Sequence, residues 1–243
     1  MRSKAFQTVL AGVVTMLSLG SIYAWSIYVP RLVADYGYST GETQLIFGVF
    51  IAVFTIAMVY GRSLLSRFGC KKLAFGSARL YAGGYLFVFI AGMNFVLLLI
   101  GISLMAGIAT GFGYLISISI PVEWFPERKG LVTGLVSAGF GGGAIVESIF
   151  AQQLFDSGTD LPYVFLILGL SKGVLLLLSS FFIERPQKES FSSLMPLSKL
   201  VRNGGFLKLF IGIFTGTFAG LLVIGNLKPI GEQFHINETT LVL

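Results

Sequence analysis

Residues 95–122 read FVLLLIGISLMAGIATGFGYLISISIPV, a run without a single Asp, Glu, Lys, Arg or His. About 20 helical residues suffice to cross a hydrocarbon core ~30 Å thick, so this run is long enough to span a bilayer. It lacks the apolar/polar alternation of a membrane strand. In lipid, only a helix lets such a segment satisfy its own backbone hydrogen bonds. Working outward, six further runs are predominantly apolar, each with at most one charged residue: 6–29, 44–60, 73–92, 131–155, 161–183 and 206–227. The expected fold class is an all-α membrane protein with seven spanning helices.

Composition leads to the same class. Only 12% of the 243 residues are charged, 55% are hydrophobic and the mean hydropathy is +0.86. Soluble domains carry about 25% charged residues, so a water-facing surface cannot be covered here. The net charge of +6 has basic residues lying between apolar runs, where they orient helices, and no nucleic acid partner is expected. Cys70 is the sole cysteine and His235 the sole histidine. An internal disulfide, a cysteine metal cluster and a histidine-based zinc or haem site are therefore excluded, and no cofactor or metal is expected. The opening Met1-Arg2-Ser3-Lys4 precedes an apolar run far longer than the ~7–15 residues of a signal peptide. It reads as a retained first span.

Lysine and arginine placement sets an expected orientation. With a cytoplasmic N-terminus, the inner segments hold Arg2, Lys4, Arg62, Arg67, Lys71, Lys72, Arg128, Lys129, Arg185, Lys188, Lys199, Arg202 and Lys208. The outer segments hold Arg31 and Lys228. The tail after helix seven is then outside, where Asn237-Glu238-Thr239 forms a glycosylation sequon of the kind that arises by chance. Short connections make sequential helices antiparallel neighbours, but 184–205 is long, polar, mixed in charge and carries Pro186 and Pro196. Three regions are expected: residues 1–183 as an N-terminal six-helix transmembrane bundle, 184–205 as a cytoplasmic inter-bundle linker, and 206–243 as the first helix of a second bundle with an outer tail.

Within the apolar runs a few residues can carry chemistry. Glycine pairs Gly107/Gly111, Gly139/Gly143 and Gly169/Gly173 form small-xxx-small steps for close helix approach. The stretch Gly139–Ala144 also matches a dinucleotide fingerprint literally, but it follows no strand and lacks the acidic residue ~20 positions on; close packing is the accepted reading. Apart from Lys208 at the edge of the last run, three charges lie inside the runs, where each is costly. Arg79 is about 9 Å from a cytoplasmic helix end, within snorkelling reach. Glu147 and Lys172 sit at depths that differ by about 4–5 Å, on the Gly139/Gly143 and Gly169/Gly173 faces. They are expected to form an intramembrane ion pair, structural or coupled to protons or substrate. Tyr23, Trp25 and Tyr28 toward the outer end of helix one, and Trp124 and Phe125 at the inner end of helix four, read as interfacial belts. Tyr23, Tyr114 and Phe140 lie deeper, where packing or a cavity lining both fit.

Several stretches resemble one family. Residues 107–144, GIATGFGYLISISIPVEWFPERKGLVTGLVSAGFGGGA, resemble helices four and five of the oxalate/formate antiporter family within the major facilitator superfamily. The WFPERKG turn followed by TGL…AGFG is their most specific part. Residues 22–28 (IYAWSIY) and 223–229 (VIGNLKP) are similar to the same family, and the related monocarboxylate transporters share a basic turn and a glycine-rich helix five. Residues 61–72, GRSLLSRFGCKK, resemble the superfamily's loop after helix two, written G-x-L-x-D-R-x-G-R-K. Gly61 opens this stretch, and Arg67, Gly69, Lys71 and Lys72 fit. Alignment on Gly69 puts Arg62 at the first glycine and Ser66 at the acid that helps latch the two bundles.

The resemblance implies two six-helix bundles, with a midplane site alternately open to either side, and small organic anions as substrates. It implies substrate-facing roles for Tyr23, Tyr114 and Phe140. It places the cations that neutralise the carboxylates on second-bundle helices beyond residue 243. The expected function is secondary transport of small carboxylates, not enzymatic catalysis. Three arrangements accommodate a first bundle and one more helix: a truncated or mis-called gene product, part of a longer chain, or a half-transporter completed by a second chain. The first is the expectation. The alternatives to transport are a complete seven-helix receptor and a non-transporting truncated product. A cytoplasmic N-terminus disfavours the G-protein-coupled type, and Lys208 at the edge of helix seven disfavours a retinal protein. No nucleophile–base pair or metal-ligand spacing supports a membrane enzyme.

Overall fold

The computed structural model describes residues 2–186, 202–227 and 230–231. Residues 187–201 of the linker, Lys228, His235 and the sequon at 237–239 lie outside the described residues. The described chain is helical throughout, with no strand, and seven helices are long and apolar enough to cross a membrane. They are α1 (Ser3–Ile27), α2 (Thr40–Phe68), α3 (Cys70–Ala91), α4 (Phe95–Trp124), α5 (Pro126–Asp156), α6 (Leu161–Phe182) and α7 (Gly204–Ile224).

Two boundaries differ from the sequence reading for identifiable reasons. Helix two begins earlier than residue 44 because Ser39 and Glu42 make a capping box: Glu42 N donates to Ser39 Oγ at 3.2 Å and Ser39 N donates to Glu42 Oε2 at 2.8 Å. Each satisfies a backbone donor that the first helical turn leaves open. The helix also continues past residue 60 through Arg62 and Arg67, and ends only where Gly69 takes φ +80°. That left-handed region favours glycine. The stretch 61–72 is therefore two helix ends joined at one residue rather than an extended loop.

Helix α1 changes pitch along its length. Arg2–Leu19 is α-helical and Gly20–Ile27 is 3₁₀; a short helix, Val29–Tyr36, follows with Pro30 in its first turn. Helix α4 contains a π-helical stretch, Leu99–Ala106, beside a close crossing in which a Cβ on Gly101 would meet Val88 Cγ2 and the Gly84 carbonyl of α3.

The main pairings are α1 with α5, α2 with α4, α3 with α4 and α3 with α6, and α1 also packs on α4 and α6. Small residues sit at these crossings. A Cβ on Gly111 would lie 2.6 Å from the Ala57 Cβ and the Phe54 carbonyl of α2. A Cβ on Gly173 would lie 2.6 Å from Ala82 Cβ of α3, and one on Gly169 would run into the Tyr85 ring. Without a hydrophobic drive between helices in lipid, such packing and interhelical hydrogen bonds hold a bundle together. Ser77 Oγ donates to Ala109 O at 2.7 Å, and Ser103 Oγ donates to Ile46 O at 2.8 Å, tying α3 and α2 to α4.

The basic end of the bundle is also where residues after α6 return. Arg185 grips Glu123 through Nε and Nη2, each at 2.7 Å. Trp124 Nε1 donates to Glu184 O at 2.6 Å, and Lys4 Nζ lies 3.1 Å from Glu184 Oε2. That hydrogen-bonded ammonium holds the Glu184 carboxyl below its ordinary range. Arg79 is exposed on α3. Helix α7 stands apart, with none of its most apolar window buried, against 67% for α1. Gln44 Nε2 donates to Gly225 O at 2.8 Å at its C-terminal end.

Candidate functional site

Two constellations form where the sequence places unusual residues. The first brings together Tyr23 of α1, Tyr114 of α4 and Phe140 of α5. The Phe140 ring meets Tyr23 edge-on at 5.2 Å between centroids, and Tyr114 edge-on at 5.1 Å. Phe54 of α2 completes the group, 5.3 Å from Tyr114 and 6.2 Å from Phe140. Edge-to-face contacts at these separations are favourable arrangements of aromatic quadrupoles. Phe140 is buried, and the other three are half-buried.

This meeting point depends on backbone contact between α1 and α5. A Cβ on Gly20 would overlap the Phe140 carbonyl, and one on Gly143 would overlap the Leu17 carbonyl. Glycine at those positions lets the two helices touch, which sets the Phe140 ring beside Tyr23. Neither the Tyr23 nor the Tyr114 hydroxyl has a hydrogen-bond partner among the described residues. Such a group can donate to an anion and offer ring faces to its apolar body.

The second constellation is a buried charge network. Lys172 Nζ lies 2.7 Å from Glu147 Oε1, and the two residues are 6% and 5% exposed. Tyr28 donates its hydroxyl to the same Glu147 oxygen at 2.6 Å, and Lys172 donates to Ser21 Oγ at 3.1 Å. Ser21 Oγ is 3.3 Å from the Tyr81 hydroxyl, which donates to Tyr85 at 3.4 Å. The Lys172 ammonium also stands over the Tyr85 ring, 5.3 Å from its centroid. Helices α1, α3, α5 and α6 all contribute.

Trp25 and Tyr28 correct the belt reading. Trp25 is buried against Phe165 and donates from Nε1 to Thr43 O at 3.0 Å. Tyr28 is buried against Glu147. From Gly20 to Val29 every residue but Tyr23 is buried, so neighbouring helices enclose this end of α1 on all sides. Trp124 is half-buried at the bundle end. In the stretch after helix two, Gly61 is buried, where a Cβ would lie 3.1 Å from Phe112 and Leu115 of α4. Arg67, Gly69, Lys71 and Lys72 are exposed. Ser66, at the acid's position, donates to Ser63 O at 2.7 Å on its own helix.

The sequence reading missed Phe54, Ser21 and Tyr28 as site members. Phe54 had no distinguishing signal among the aromatics of α2. Ser21 and Tyr28 are uncharged residues of ordinary type for a span, so nothing in the sequence distinguished them.

Comparison with known proteins adds identity to this geometry. The Major Facilitator Superfamily profile matches residues 10–243. An uncharacterised MFS-type transporter, YhjX of Escherichia coli K12, is 26% identical over 93% of this chain and 58% of its own length. The oxalate:formate antiporter of Oxalobacter formigenes is 25% identical over 98% of this chain and 58% of its length. Monocarboxylate transporter 9 of Mus musculus is 25% identical over 58% of this chain and 27% of its length. The chain thus spans little more than half the length of the first two relatives. A match across nearly all its residues and a helical, multi-pass architecture lead to one assignment: the chain belongs to the Major Facilitator Superfamily of membrane transporters.

Proposed function

We propose that this chain serves secondary transport of small carboxylates by alternating access, with Tyr23, Tyr114 and Phe140 on the wall that faces substrate. The observation that carries the reading is the convergence of these three residues and Phe54, from four helices, at one point with two tyrosine hydroxyls unpartnered among the described residues. Hydroxyl donors beside an aromatic surface suit a short carboxylate with a small apolar body. The oxalate:formate antiporter relative and the monocarboxylate transporter relative support the substrate class. A second bundle, on the same chain or on another, supplies the cations that neutralise the anion.

The Lys and Arg asymmetry supports a cytoplasmic N-terminus and an outer end for the segment after α7. The inner face then carries Arg67, Lys71 and Lys72 without an acid at Ser66, so any latch between bundles there uses other residues.

Uptake and exchange of radiolabelled oxalate, formate, lactate and pyruvate in proteoliposomes test the proposal. The expected result is saturable uptake of at least one, with competition by the others and none by a neutral sugar. Absence of uptake of all four, from protein whose fold is verified and whose second bundle is present, contradicts it.

A further inference from the structure

A cleft of about 440 Å³ opens between α5 and α6, floored by Leu17, Ser18 and Ser21 of α1. It exists because α6 packs mainly on α3 and α5 mainly on α1, so α5 and α6 diverge. Its rim carries exposed Val146, Phe150 and Ile167, so it opens at the bundle's perimeter. No residue of α2 or α4 lines it, nor does any of the four converging aromatics. Its lining is apolar except for Ser18, Ser21, Ser171, Gln153 and the pair Glu147 and Lys172.

We infer that this cleft is a second site, for an apolar-tailed monocarboxylic acid that arrives with its proton. The wall already holds one positive and one negative charge, which compensate each other. A carboxylate anion alone would leave a net negative charge in an apolar setting, which is heavily penalised. A neutral acid avoids this. Its carboxyl proton passes to Glu147, and its carboxylate takes over the Lys172 ammonium. The proton leaves the ligand oxygen, the O–H bond forms on Glu147, and the total charge is unchanged. Tyr28, just past the end of α1, faces Glu147, and Tyr81 and Tyr85 face Lys172 from α3; Gln153 on the rim is neutral. Glu147 is the carboxylate in the cleft lining that a ligand's carboxyl can meet.

Cleft size sets the ligand's body. At ~30 Å³ per water, the volume equals roughly fifteen waters, so formate or oxalate would leave most of an apolar space unfilled. A medium-length alkyl chain fills it and enters from the bilayer side. This site stands apart from the aromatic wall, and its success or failure does not depend on the transport proposal.

Equilibrium binding of ¹⁴C-decanoate to the purified full chain in nanodiscs tests the inference. One saturable site is expected, its apparent affinity falling about tenfold per pH unit above the ligand's own pKa because one proton is bound with each ligand. Decanol, with the same tail and no carboxyl, is expected to compete poorly. Glu147→Gln leaves Lys172 as a lone cation, so decanoate binds as the anion and the pH slope falls to near zero. Ile167→Trp keeps both charges and fills the mouth, so binding is lost even if Glu147→Gln does not fold. No saturable site in the native chain, an unchanged pH slope in folded Glu147→Gln, unchanged binding in Ile167→Trp, or equal competition by decanol overturns the proposal.

Discussion

Replacing Glu147 by alanine is expected to destabilise the bundle by about 3–5 kcal/mol, because it leaves the Lys172 ammonium buried without its counter-charge. Lys172 is 6% exposed and its ammonium donates to Glu147 Oε1 and Ser21 Oγ. After the change only the serine remains, and the Tyr28 hydroxyl also loses its acceptor. Lys172→Met leaves the opposite charge unpaired and is expected to cost a similar amount. The double change Glu147→Gln with Lys172→Met removes both charges while keeping near-native volume. Replacing a whole buried pair by uncharged groups is often neutral, so most of the single-change loss is expected to return. Thermal unfolding in detergent and monodisperse yield by size exclusion read this directly. If the double variant is no better tolerated than either single one, the pair is not energetically coupled.

The second large effect concerns the α1–α5 crossing. Gly20→Val places its Cβ on the Phe140 backbone carbonyl, with the carbonyl carbon 2.6 Å and the Cα 2.8 Å from the ideal position. Backbone cannot rotate aside as a side chain can, so the helices must separate. Overpacking in a well-filled core costs about 1–3 kcal/mol, occasionally more. Here the upper end is expected, because parting α1 from α5 also pulls Phe140 from Tyr23 and Glu147 from Tyr28. Gly143→Val, which meets the Leu17 carbonyl, is expected to behave alike. Gly141 sits on the same helix, with no neighbouring atom within 4 Å of the point where an alanine methyl would stand. Gly141→Ala is expected to be neutral or slightly stabilising, since alanine is the better helix former by about 1 kcal/mol. The order of melting temperatures across these variants checks the claim. Equal losses at Gly141 and Gly20 contradict it.

What could be read from the sequence follows from what the bilayer imposes. A span needs an unbroken apolar run, so each membrane helix announced itself, whereas ends did not. Helix α2 runs on to Phe68 because lysines and arginines at a membrane face can remain helical, and only Gly69 stops the ladder. Glu147 and Lys172 stood out because charge is rare inside such runs, and simple rise per residue brought them to similar depth. Their partners were hidden. Ser21 and Tyr28 carry no charge, so neither stood out among the other serines and tyrosines of the spans. The apolar content of α7 resembles that of the other spans, although its residues are exposed or half-exposed throughout Gly204–Gly220. Hydropathy cannot separate a lipid-facing helix from a packed one, since lipid tails are as apolar as leucine.

The central claim is that Tyr23, Tyr114 and Phe140 face a small carboxylate during transport. Its most direct test is the KM of the best carboxylate in proteoliposomes for Tyr23→Phe combined with Tyr114→Phe, which removes two hydroxyls and keeps both rings. Hydrogen bonds to a charged group contribute about 1.5–3 kcal/mol each, so a rise in KM of about tenfold or more is expected with fold and yield unchanged. An unchanged KM and maximal rate in the folded double variant would place the substrate elsewhere.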